Sequence, residues 1–401
     1  MISVDEARAR ILANLPTLPA EWVGLTDADG RVLADDIVAR RTQPPADLSA
    51  MDGWAVRAAD TAPLPATLTE IGESAAGHGF DGSIAAGETV RIFTGAPVPP
   101  GADAILIQEN ASQNGDQIAV NERVEVGRYI RPAGFDFREG ETGLSAGRTV
   151  SPRDIGLLAA MNVPWLPVRR RPRIALLSSG DELVRPGEHI GPNQIVSSNG
   201  LAIAAFVRRA GGIPVDLGIA ADTEESVQRT ADAARNCDML VTLGGASVGK
   251  HDLIQDVLAA GGDDLQFWKI AMRPGKPVMF GEFRGIPLLG LPGNPVSSIV
   301  CALMFLRPAI ARMMSQTDAD PLRLTAPVAR DIPENDQRAE YMRARLIRDD
   351  NGQTQVEPFS RQDSSMLSVL STADALAFRP AHAPAFKTGD IMEYIPLNGI
   401  L

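Results

Sequence analysis

Cysteine is nearly absent from this chain of 401 residues. Only Cys237 and Cys301 occur, both in apolar or helix-like text, which excludes a disulfide framework and a cysteine metal site. Histidine is as sparse: none of His78, His189, His251 and His382 has a partner at metal-ligand spacing. No catalytic serine triad is legible, because Ser247 lacks an elbow motif around it and no histidine can be nominated as its companion. An export signal is missing too, since Asp5, Glu6, Arg8 and Arg10 interrupt the apolar segment it would need, and a reducing, cytoplasmic compartment is expected. The longest uncharged run, residues 285–306, is broken by Pro292-Gly293-Asn294-Pro295 into a short strand and a helix. It is expected to be protein core, with no membrane span. Positive charge is in deficit: 38 Lys and Arg against 50 Asp and Glu leave a net charge of −12. Such a chain repels phosphate backbones and anionic bilayers, so a nucleic-acid partner is disfavoured. An anionic substrate must then meet a local basic patch or a metal ion.

What is present is the material of an ordinary globular protein, 44% hydrophobic and 22% charged, with a mean hydropathy of −0.03. Its length implies two to four folding units. Ser3 with Glu6 forms a capping box ahead of Ile11, Leu12 and Leu15, which share one helical face. From about residue 48 to 145 the text becomes short β-rich runs, such as 89–93 and 104–107, punctuated by Gly and Pro turns and by Asn114-Gly115. Ser151-Pro152 then opens a helix that must end near Asn162, before Pro164. Helical text on both sides marks the β module as an insertion. From Arg173 to about Met314, apolar strands alternate with helices, the pattern of a mainly parallel, doubly wound α/β unit whose ligands sit beyond the carboxyl ends of its strands. Asp222 with Glu225 is expected to cap one of these helices, a further helix is expected over residues 252–260, and one more over 296–314. Residues 341–347 and 355–359, flanking Asp350-Asn351-Gly352, predict a hairpin within a small C-terminal β barrel or sandwich. The fold class is α/β plus β, multidomain: residues 1–47 with 146–171, 48–145, 172–320 and 321–401.

The chemistry gathers at strand ends of the α/β unit. Ser178-Ser179-Gly180-Asp181-Glu182 follows its first strand, Gly244-Gly245-Ala246-Ser247 its third, and Pro292-Gly293-Asn294-Pro295 precedes a helix. Glycine there lets backbone N–H groups approach a ligand while a helix supplies its positive end, so phosphate binding is available. One such loop reads more simply as a tight turn; three at one edge favour a ligand. Asp181, Glu182, Asp222 and Asp252 fall at the same edge, where carboxylates would hold Mg²⁺ or merely cap helices. Lys269, Arg273 and Lys276 follow one strand closely, with Pro274-Gly275 turning the chain between two of them. This is a cationic cradle suited to a small dianion, or else a solvated basic loop. Asp52, beside Met51 and Trp54, and Thr94, ahead of Gly95, read by physics alone as turn residues.

Taken together, Ser49 to Gly53, Thr94-Gly95-Ala96, Ser179 to Leu183, Gly244-Gly245 through Asp252, Arg273-Pro274-Gly275-Lys276-Pro277 and Pro292 to Pro295 resemble the molybdopterin molybdenumtransferase family, similar to the C-terminal part of gephyrin. The resemblance covers essentially the whole chain. It implies an elongated homodimer of four-part subunits that takes adenylyl-molybdopterin and molybdate, uses Mg²⁺, inserts the metal into the dithiolene and releases AMP. By this resemblance, Asp181, Glu182, Asp222 and Asp252 surround the metal and substrate phosphates. Ser179, Gly180, Gly244, Gly245, Ser247, Lys269, Pro292 and Pro295 cradle the substrate. Arg273, Lys276, Ser297, Arg338 and Arg343 hold molybdate. Asp52 and Thr94 complete the site from the other subunit. Molybdopterin adenylyltransferase and molybdoenzyme-delivery proteins are possible protein partners.

Charge dictates the expected mechanism. Molybdate is a dianion that must approach a dithiolene beside an anionic pyrophosphate, so cations have to offset the repulsion. Arg273 and Lys276 would pre-position the oxyanion while Mg²⁺ polarises the pyrophosphate. Two other readings remain: an adenylyltransferase, which shares the α/β unit and makes the adenylylated intermediate, and a noncatalytic cofactor carrier or scaffold.

Overall fold

The computed structural model describes residues 1–244, 257, 266–317 and 320–399. The first helix, Val4–Ala13, begins where the Ser3 hydroxyl accepts the Glu6 N–H at 3.1 Å. Its buried Val4, Ala7 and Ile11 pack into the core of the α/β unit. Ile2 adds a parallel bridge to Ile270, which fastens the N-terminus beside the basic loop.

A second core forms around an antiparallel pair, Ala20–Gly24 with Trp165–Arg169, and the helix Pro152–Ala160. Ser151 and Asp154 cap that helix reciprocally, with proline at its first position. The β module contains a six-stranded sheet in the order Ala104–Ile107, Gly53–Val56, Glu88–Ile92, Ala66–Ser74, Gln117–Val120, Ala111–Asn114. Alternate residues of its strands feed apolar cores on both faces, one centred on Trp54, Leu68 and Leu106 and the other on Val90, Ile92 and Ile105.

The α/β unit is built on a sheet in the order Ile213–Ala220, Arg173–Ser179, Met239–Leu243, Ile286–Leu291, Pro277–Phe283, Gln266–Lys269. The first four strands run parallel; the inner three are buried through their centres, as cover on both faces requires, whereas the edge strand Ile213–Ala220 carries Asp216 and buries only Ala220. Pro277–Phe283 runs antiparallel to Ile286–Leu291, because Phe283 and Ile286 pair across a two-residue turn in which Arg284 and Gly285 both take positive φ, and Gln266–Lys269 pairs antiparallel with Pro277–Phe283. Thr223 caps the helix Glu224–Asp232, accepting from Ser226 N–H at 3.3 Å, so the cap lies one residue beyond the expected Asp222. The helix expected over 252–260 lies outside the described residues apart from Val257.

The segment Pro295–Met313 is long and apolar enough to cross a membrane, yet 83% of its most apolar stretch is buried inside the protein. It is not a single regular helix: α-turns at Pro295–Cys301 and Arg307–Met313 flank a π-helical stretch, Ala302–Leu306. Pro308 has no N–H to give to a carbonyl one turn back, and the widened turn takes up that defect.

The C-terminal unit is a small barrel. Its strands run Ala339–Arg348, Ala375–Arg379, Ile391–Pro396, Leu324–Pro327, and Thr354–Pro358 pairs with the other edge of Ala339–Arg348. A parallel bridge between Val328 and Val356 joins the two ends. The short strand Met272–Arg273 leaves the α/β unit and pairs with this sheet, placing Met272 opposite Ala339 and Arg273 opposite Glu340.

Candidate functional site

The carboxyl ends of the parallel strands open onto a cleft of about 990 Å³, bounded on its far side by residues 362–365 and Arg338 of the C-terminal unit. Three strand ends supply its floor. Ser178 and Ser179 close the strand Arg173–Ser179, Gly244 follows Met239–Leu243, and residues 292–295 follow Ile286–Leu291. At Gly180 φ is +141°, and a Cβ there would meet the Glu182 carboxylate at 2.4 Å. Only glycine allows that carboxylate to fold back over the loop. The 292–295 loop is held on both flanks: Asn199 donates to Gly293 O at 2.8 Å, and Asn294 to Ser364 Oγ at 3.1 Å.

The cationic wall comes from both units. Arg273, Lys276 and Arg338 all line the cleft, with Ser297 in the first turn of the helix that starts at Pro295. Lys276 is exposed and makes no ion pair with any described residue. Arg273 is anchored, its guanidinium meeting Asp336 with one nitrogen and Glu340 Oε1 at 3.5 Å with another. Arg338 Nη2 reaches the same Asp336 Oδ2 at 3.2 Å. Burial acts to raise the Asp336 pKa, but hydrogen bonds from the Arg338 side chain and backbone, with the charges of both arginines, hold it below the ordinary value. Glu340, buried, also receives Arg379 Nε at 2.6 Å. At Gly275, φ is +109° and a Cβ would lie 2.4 Å from Cys301 Sγ, so the basic loop is seated directly on the core helix.

The acids are arranged less uniformly. Glu182 lines the cleft. Asp181 and Asp222 stand side by side, each carboxylate accepting the other's backbone N–H, at 3.1 Å and 3.3 Å. Their donors are carboxylate oxygens, the type Mg²⁺ takes, although no cluster of three metal-ligating side chains occurs among the described residues. Gly245, Ser247 and Asp252 lie outside those residues.

The remaining sequence-derived candidates divide between the cleft and other places. Pro292 and Pro295 line the cleft with Ser179, but Lys269 is exposed at the end of its strand and does not. Arg343 is 1% exposed and donates to Asp363 O at 2.9 Å. It therefore sits behind the 362–365 loop as a support, and burial lowers its pKa. Asp52 and Thr94 meet within the β module: Asp52 Oδ1 accepts the Thr94 N–H at 2.7 Å and its hydroxyl at 2.8 Å. These two bonds lower the Asp52 pKa. Asn199 and Ser364 line the cleft without belonging to any motif, and Asp336 and Glu340 reach it only through their ion pairs with Arg273.

Comparison with known proteins covers the chain almost end to end. Residues 2–162 match the MoeA N-terminal region (domain I and II), 175–312 a probable molybdopterin binding domain, and 325–397 the MoeA C-terminal region (domain IV). A molybdopterin molybdenumtransferase of Haemophilus influenzae is 31% identical over 405 residues, spanning 100% of each chain. One from Bacillus subtilis is 30% identical over 403 residues, 98% of this chain and 94% of that one. Among solved structures, a molybdopterin biosynthesis MoeA protein of Pyrococcus horikoshii superposes with a TM-score of 0.85 at 28% identity, covering 99% of this chain and 100% of that one.

Proposed function

The chain belongs to the molybdopterin molybdenumtransferase family, and from that premise we propose that its interdomain cleft receives molybdate and adenylyl-molybdopterin and transfers molybdenum to the dithiolene of the pterin. One observation carries this reading: Lys276, Arg273, Arg338 and Ser297 share a cleft with three strand-end loops in a chain whose net charge is −12. A tetrahedral dianion is attracted to that cationic wall, while the pyrophosphate of the second substrate suits the loops and the helix N-terminus. Neither substrate has to rely on the global field, which opposes both.

Within this reading Lys276 supplies a mobile point charge and Arg273 and Arg338 a fixed, oriented one. Ser297 contributes a hydroxyl at the helix entry. Glu182, with Asp181, Asp222 and Asp252, would hold Mg²⁺, whose charge would favour departure of AMP when water cleaves the pyrophosphate. Asp52 with Thr94 would complete the site from the second subunit of a homodimer. The same proposal puts the protein in the cytoplasm, with molybdopterin adenylyltransferase and molybdoenzyme-delivery proteins as its protein partners.

Purified protein given adenylyl-molybdopterin, molybdate and Mg²⁺ is expected to release AMP and yield molybdenum-loaded pterin. Release of AMP from ATP and free molybdopterin instead would favour an adenylyltransferase. Neither reaction would leave a carrier or scaffold.

A further inference from the structure

We propose that Asp336 is an internal stand-in for the oxyanion: its carboxylate occupies the place between Arg273 and Arg338 that an incoming dianion must take over. This rests on the assignment of the cleft as the oxyanion site. A single carboxylate oxygen, Oδ2, is shared by the two guanidiniums, and both of those arginines line the cleft. That is the bridging arrangement an oxygen of a tetrahedral anion would adopt. Asp336 is also placed to yield. Its side chain is 44% exposed, and its other oxygen is retained by the Arg338 N–H at 2.9 Å. It lies outside the regular strands, in the segment before Ala339–Arg348.

The second carboxylate of the network differs. Glu340 is buried and held by Arg379 through Nε at 2.6 Å and Nη2 at 2.5 Å. Its contact with Arg273 is longer, 3.5 Å. Glu340 and Arg379 thus form the fixed base, and Asp336 the exchangeable partner. The network carries Arg273, Lys276, Arg338 and Arg379 against Asp336 and Glu340, a net of +2, while Glu182 and Asp363 line the same cleft, so displacing Asp336 frees two guanidiniums for the incoming dianion. A resting carboxylate keeps the two guanidiniums aligned in an empty cleft and lowers affinity for every anion, so that only a ligand making further contacts, to Lys276 and Ser297, displaces it efficiently. Asp336 acts through the arginines and is a positioning residue.

The test is equilibrium binding of molybdate to the full chain by calorimetry, at several salt concentrations, for the wild type, Asp336→Asn, Asp336→Glu and Lys276→Ala. Asparagine keeps the size and the acceptor for Arg338 N–H but removes the competing charge. Molybdate binding to Asp336→Asn is expected to tighten by about fivefold, the upper end of what an exposed ion pair contributes, and to become more salt-sensitive, while Asp336→Glu stays near wild type. A variant damaged in folding would lose affinity, so the gain separates competition from structural support. Asp336→Ser, checked by thermal unfolding, repeats the measurement with a smaller side chain. If Lys276→Ala weakens binding by roughly tenfold or more while Asp336→Asn and Asp336→Ser bind no tighter than wild type, the role given to Asp336 is wrong and the cleft assignment survives. Binding that persists undiminished in Lys276→Ala overturns the cleft assignment itself.

Discussion

Arg273 and Glu340 face each other in a two-residue parallel pairing through which the α/β unit adds a strand to the C-terminal barrel. The basic loop is therefore fixed to two units at once. Within it, Gly275 is set against the core helix at Cys301, and Lys276 beside it is exposed. Geometry at the cleft thus depends on contacts between units as much as on the strand ends that open it.

Lys276→Ala should separate binding from stability. The side chain is exposed and without an ion pair among the described residues, so unfolding free energy is expected to change by less than about 0.5 kcal/mol. A charge-assisted contact contributes about 1.5–3 kcal/mol, so the KM for molybdate should rise by roughly tenfold or more. Steady-state kinetics with chemical denaturation checks both halves.

Arg379→Met should do the reverse. Arg379 and Glu340 are 8% and 6% exposed in their side chains, and removing one member leaves a buried charge whose remaining partner, Arg273, is more distant. A loss of about 3–5 kcal/mol is expected, read from the denaturant midpoint. Arg379→Met with Glu340→Leu should recover much of it, because the unpaired charge is gone.

Gly275→Ala should disturb the cationic loop from beneath. The added Cβ would lie 2.4 Å from Cys301 Sγ, at a φ of +109°. Strain of about 1–3 kcal/mol is expected, with weaker molybdate binding. Cys301→Ala in the same chain should restore part of the binding and leave the backbone strain, a partial rescue that calorimetry can resolve.

Asp52 provides a pH signature. Its carboxyl is held below the ordinary 3.8 by the Thr94 N–H and hydroxyl. Because the folded value is depressed, the stabilisation is fully present above about pH 3.8 and is lost as pH falls through the lowered value. Carboxyl NMR titration should show Asp52 moving back toward 3.8 in Thr94→Val, which removes the hydroxyl and keeps the backbone donor.

The α/β alternation, the inserted sheet and the C-terminal barrel were legible because apolar periodicity and glycine-proline punctuation are local signals. Local signals also singled out Ser179, Gly244, Lys276 and Pro292, which lie at strand ends and line the cleft. They failed at Asp222, where Thr223 is the better cap because its hydroxyl reaches Ser226 N–H. The helix expected over 296–314 is present, with a π-helical stretch ahead of Pro308 that periodicity does not reveal. Asp336 and Glu340 could not be found from sequence: their roles arise from ion pairs with Arg273 across more than sixty positions. Arg343 was assigned to molybdate by resemblance, but the structure places its charge behind the wall.

The most direct measurement is an anomalous difference map at the molybdenum edge from crystals of this protein soaked in molybdate. A peak is expected in the cleft, contacted by Lys276 and Arg273 and near Ser297. A well-occupied peak elsewhere, with this cleft empty, would contradict it.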